Sequence, residues 1–79
     1  MNAYDALKTI LVEVLRVPAI VITPEATKDD LDLDSLAVAE LVTILREEHG
    51  LTIGEGEIAA AGTVQDIADL MLEHGRTTA

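Results

Sequence analysis

The sequence predicts an all-α fold: a small four-helix bundle, three main helices plus one short helix, with a long loop between helices 1 and 2. Three observations carry this. Apolar residues recur at three- and four-residue spacing over three separate stretches, the period of a helix with one buried stripe. The one β-branched run that passes for a strand, Ile20-Val21-Ile22, has no second strand to pair with in the 79 residues, and a lone strand leaves its backbone unpaired. The chain is 49% hydrophobic, yet it has no Trp, no Phe and only Tyr4 as an aromatic, so its core is built from Leu, Ile, Val and Ala. Residues 1–79 are read as a single domain, near the size at which one core is only marginally sufficient. Without cysteine, neither disulfides nor a thiolate zinc site can assist it.

Helix 1 is expected over about residues 3 to 17. Leu7, Ile10, Leu11, Val14 and Leu15 lie on one stripe, Asn2 with Asp5 three residues later is a start signal, and Pro18 marks the end. Residues 18–34 then hold two prolines, the β-branched cluster and a run of acids. They are read as an ordered loop with Ile20, Ile22, Leu31 and Leu33 turned inward; a long loop in so small a domain is often functional.

Helix 2 is expected from Ser35 to His49, stopped by Gly50 in the left-handed conformation that glycine accommodates. At about 100° per residue, Val38, Leu41, Val42 and Leu45 form its core side, with His49 extending it. The opposite side carries Leu36, Ala39, Glu40, Thr43, Ile44 and Glu47. Two apolar residues within an acidic stripe suggest a partner-binding surface. Glycines at 50, 54, 56 and 62 limit the next segment to a loop with a short helix near residues 57 to 61. Thr63 and Asp66 stand at capping-box spacing, Val64, Ile67, Ala68 and Met71 form the last buried stripe, and Gly75 is expected to close that helix ahead of a frayed tail from Arg76 to Ala79.

Fifteen acids against five Lys and Arg give a net charge of -10. Ten of those acids and only two of the bases fall between residues 25 and 57. Nucleic acid and anionic membranes are disfavoured as partners because their phosphates would be repelled, whereas basic protein surfaces would be steered toward this chain. The N-terminal stretch mixes acids and a lysine with its apolar residues, so it is neither a signal peptide nor a membrane span. A cytoplasmic protein is the expectation.

Ser35 interrupts an acidic run where helix 2 begins. As a nucleophile it would need a base in contact, but His49 lies fourteen residues along the same helix, about 21 Å away at the helical rise. Neither histidine has a second ligand at metal spacing. Asp30, Asp32 and Asp34 alternate like the first ligands of an EF-hand loop, but the sixth position is Ser35 where that loop needs glycine, and the twelfth is Leu41 where it needs glutamate. Asp34 or Ser35 as a helix cap accounts for a polar residue, worth about 1 kcal/mol. A serine at a helix start also sits beside unpaired backbone N–H groups and the positive end of the helix dipole, a favourable place for a phosphate ester.

LDLDSL, followed by AVAELVTILREEHGLTI and then TVQDIADLM, resembles the acyl carrier proteins and the peptidyl carriers that share their fold, over essentially the whole chain. The resemblance implies a discrete carrier with no catalytic activity of its own and no resident metal. Ser35 would bear 4'-phosphopantetheine, installed by a separate phosphopantetheinyl transferase whose metal site Asp34 assists. Acyl groups would ride as thioesters on the arm's terminal thiol. Leu36, Glu40, Ile44 and Glu47 match the face that docks onto basic patches of acyl-loading and chain-processing enzymes, and Val38, Leu41, Leu45, Ile53 and Ile58 would shelter the acyl chain in a monomeric bundle.

The chain departs from the family's usual pattern in four places. Asp32 replaces a frequent glycine, Arg46 and His49 replace a frequent glutamate and phenylalanine, and Ala61 replaces a larger aliphatic. These departures place polyketide and nonribosomal peptide synthesis beside fatty acid synthesis as the pathway. The rival reading from another class is an unmodified acidic interaction module or one that responds to divalent metal.

Overall fold

The computed structural model describes residues 2–76, with side chains through residue 75. Its order is α1 (Ala3–Glu13), a one-turn 3-10 helix (Ala19–Val21), α2 (Ser35–His49), α3 (Glu55–Ala60) and α4 (Val64–Arg76), with no strand among the described residues. The all-α expectation holds. α1 packs along α4, and α2 packs on α3. One core joins them: Leu7 and Leu11 of α1, Leu41 and Leu45 of α2, Ile53, Ile58 of α3, and Val64, Ile67, Ala68 and Met71 of α4 are all buried, and no buried side chain among the described residues is polar or charged.

α1 begins as expected, with Asn2 accepting from the Asp5 amide at 2.8 Å. It ends at Glu13, earlier than the stripe implied. The Leu15 amide folds back to the Ile10 carbonyl and the Val17 amide to the Leu11 carbonyl, with Arg16 between them in the left-handed region at φ 61°. This reversal drives Val17 into the core and leaves Val14, read as a core residue, 46% exposed.

The long loop is ordered by two separate means. Val17, Ile22, Ala26 and Leu31 bury their side chains in the core. The carbonyls of Ala26 and Pro24 accept from the Val64 and Gln65 amides at 2.8 and 3.0 Å, satisfying donors that the start of α4 would otherwise leave unpaired. Ile20 does not turn inward as expected: it is 90% exposed, because the tight 3-10 turn sends Ile22 to the core and Ile20 to solvent. Leu33 is half-buried.

α2 has its expected bounds, and Gly50 stands at φ 67° with its amide, like that of Leu51, bonded to the Leu45 carbonyl. Its buried stripe is Val38, Leu41 and Leu45; Val42 is half-buried and His49 is exposed, so the stripe stops one turn short of the expected end. α3 starts two residues before the expected position, since Glu57 reaches back to accept from the Gly54 amide at 3.0 Å. At α4 the capping box forms in both directions, each bond 3.2 Å between Thr63 and Asp66. That helix runs through Gly75 to Arg76 and is not closed at Gly75; among the described residues Gly50 is the one glycine with positive φ, so Gly75 makes no left-handed stop. The rest of the expected frayed tail, 77–79, lies outside the described residues.

Candidate functional site

The chain approaches α2 through one helical turn. Thr27 and Asp30 cap each other, amide to side chain, at 3.0 and 3.1 Å. The turn closes with the Leu33 amide on the Lys28 carbonyl and the Asp32 amide on the Asp29 carbonyl, the paired bonds of a Schellman ending. That ending requires a left-handed residue at its penultimate position, and Asp32 supplies it at φ 58°. The Lys28 ammonium crosses to donate to the carbonyl of Ala61, just after α3. The turn that delivers Ser35 is thereby tied to the end of the short helix.

Asp34 is the N-cap of α2, its carboxylate accepting from the Ala37 amide at 2.8 Å. Ser35 is the first helical residue, exposed, and its hydroxyl makes no hydrogen bond among the described residues. Of the two candidate caps it is Asp34 that caps, so the serine oxygen is not consumed in holding the helix. The amides of Ser35 and Leu36, at the first two helical positions, have no intrahelical carbonyl to bond. A fifteen-residue helix also directs the positive end of its dipole at this point.

Along α2, Leu36 is 68% exposed, Glu40 and Glu47 are exposed, and Ile44 is half-buried. Glu40 and Ile44 join Ala39, Thr43 and Val14 of α1's end in lining a shallow groove of about 300 Å³. Sequence reasoning missed Val14 here, because its spacing also fits the core stripe; its place beyond the last full turn of α1 is what turns it outward. The five residues expected to shelter an acyl chain, Val38, Leu41, Leu45, Ile53 and Ile58, lie together in the shared core between α2 and α3, each no more than 8% exposed. Ala61 borders them, also buried.

The histidines lie elsewhere. His49 is exposed at the end of α2, while His74 Nε2 on α4 stands 3.4 Å from Glu57 Oε1 on α3. The Gly54 amide first, and then His74, hold the Glu57 carboxyl below the ordinary value of 4.5. Among the described residues no three His, Asp or Glu side chains are arranged to hold a metal ion, and no helix is long and apolar enough to cross a membrane.

The family described as "Phosphopantetheine attachment site" matches residues 5–71. An acyl carrier protein of Thermobifida fusca (strain YX) is 38% identical over 64 residues, spanning 80% of this chain and 81% of that protein. An exposed serine opening a capped helix, on a four-helix fold matched over most of its length by a phosphopantetheine attachment domain, makes this chain a member of the acyl carrier protein family.

Proposed function

We propose that Ser35 is the attachment residue and that the chain carries acyl intermediates without performing catalysis on them. The observation that carries this reading is the unbonded, exposed hydroxyl at the first position of α2, with Asp34 already serving as the cap. The residues fit the group. The Ser35 oxygen loses its proton and forms a P–O bond to the phosphopantetheine phosphorus of coenzyme A as the pyrophosphate P–O bond breaks and adenosine 3',5'-bisphosphate leaves, and the negative charge of the resulting diester lies against the free amides of the helix start. When bound, 4'-phosphopantetheine supplies a thiol on which acyl groups are held as thioesters; a chain that has no cysteine offers no competing one.

Asp34, exposed beside the serine, is available to the metal site of the phosphopantetheinyl transferase. Leu36, Glu40, Ile44 and Glu47 present the docking face, an apolar pair set among carboxylates and suited to basic patches on acyl-loading and chain-processing enzymes. Val38, Leu41, Leu45, Ile53 and Ile58 form the aliphatic interior into which a cargo chain withdraws. The carrier works as a cytoplasmic monomer. Its pathway is polyketide or nonribosomal peptide assembly as readily as fatty acid synthesis, since Arg46 and His49 make the outer end of α2 less uniformly acidic and Ala61 changes the wall beside Ile58.

The test is incubation with a broad-specificity phosphopantetheinyl transferase, coenzyme A and magnesium, read by intact mass. One phosphopantetheinyl group is expected on the wild-type chain and none on Ser35→Ala. A wild-type chain that gains no mass with any competent transferase, or a Ser35→Ala chain that still does, overturns the assignment.

A further inference from the structure

Arg16 and Asp32 are the only non-glycine residues among those described that have positive φ, at 61° and 58°. They belong to different turns, yet both line one cleft of about 420 Å³ between the end of α1 and the turn that precedes α2. Side chains held in a sparsely populated backbone region cluster where the surroundings over-determine them, often at ligand sites. The cleft reaches the candidate site directly, since its lining includes Leu33 and Ala37, two residues to either side of Ser35.

Its chemistry is mixed. Pro18 and Val21 supply apolar wall, and Val21 is 40% exposed. Arg16 is the one basic residue of the lining and is exposed, and its guanidinium makes no ion pair or hydrogen bond among the described residues. In a chain of net charge -10, an unpaired arginine on the rim of a partly apolar cleft, with Asp30 and Asp32 also in the lining, is suited to a flexible ligand with apolar carbons and amide groups that both accept and donate hydrogen bonds. The closed interior formed by Leu41, Leu45 and Ile58 offers only hydrocarbon.

We propose that this cleft is a resting site for the pantetheine portion of the arm attached to Ser35, with its apolar carbons against Pro18, Val21 and Leu33 and its carbonyl oxygens toward Arg16. The proposal rests on the carrier reading above and adds a berth on the α1 side of α2, separate from the interior between α2 and α3. It also bears on cargo. An oxygenated chain, which the aliphatic interior would penalise, can follow the arm along this polar-edged surface.

The experiment compares amide spectra of ¹⁵N-labelled apo protein with those of the same protein armed by transferase and coenzyme A, after intact mass has verified the arm. Residues 32–37 are set aside, because the phosphodiester alone shifts them. Val17 and Val21 are expected to shift more than Ile53 and Ile58, and Arg16→Gln is expected to diminish the shift at Val21 while the arm still attaches. Shifts confined to residues 32–37, or stronger at Ile53 and Ile58 than at Val21, overturn the cleft and leave the carrier reading standing. No mass gain at all overturns both.

Discussion

Asp32→Gly is expected to stabilise the protein, although it removes a side chain three residues before the proposed attachment residue. Asp32 sits at φ 58° because the turn closed by Leu33 on Lys28 and Asp32 on Asp29 demands it. For an L-residue the left-handed region costs roughly 1–2 kcal/mol, less for aspartate, which tolerates it better than most. Glycine removes that cost but gives back about 0.5–1 kcal/mol in chain entropy. It also relieves the crowding of Asp29, Asp30 and Asp34 around an exposed carboxylate, so the net gain is about 0.5 kcal/mol, or roughly 2–4 °C in melting temperature for a domain of this length. Asp32→Val, β-branched and intolerant of positive φ, is expected to lose about 1–2 kcal/mol. Asp32→Asn separates charge from backbone, because asparagine accepts the same conformation. Thermal unfolding of the apo protein by circular dichroism ranks the four chains. If valine is as stable as aspartate at this position, the left-handed turn before Ser35 is wrong. If asparagine alone accounts for the glycine gain, the effect is charge and not conformation.

Two further outcomes follow from the surface. Glu57 is held below the ordinary glutamate value by the Gly54 amide and by His74, so it favours the folded state above its unfolded pKa, and that contribution disappears as pH falls through the folded value. Urea unfolding from pH 7 into the acid range should show a shallower loss for Glu57→Gln than for wild type over that window; identical slopes would mean the contact between α3 and α4 is not held in solution. Charge reversal of exposed Glu40 and Glu47 to lysine should slow acyl transfer by enzymes with basic docking patches while shifting unfolding by less than about 0.5 kcal/mol. A large stability loss would mark the two glutamates as structural.

Local chemistry made much of this fold legible. Asp34 and Gly50 bound α2, and Thr63 with Asp66 starts α4, because caps depend on a residue and its neighbours three or four positions away. The exposed position of Ser35 followed from the same logic. Reading failed where distant contacts decide. α1 stops at Glu13 because Val17, and not Val14, finds the core, and a periodic stripe cannot distinguish them. Ile20 and Ile22 have the same chemistry, and only a tight turn separates the exposed one from the buried one. The frequent family glycine at position 32 did hold a signal: a recurrent glycine marks a backbone that needs positive φ, and Asp32 keeps that backbone without the glycine.

The loop ahead of Ser35 hangs by its Pro24 and Ala26 carbonyls from amides at residues 65 and 64. During synthesis those two donors emerge long after the serine itself, so an unfinished chain cannot yet set the platform on which that hydroxyl is offered. Trimming that reached into the final helix would likewise disturb an oxygen near the middle of the chain, with no residue around it altered.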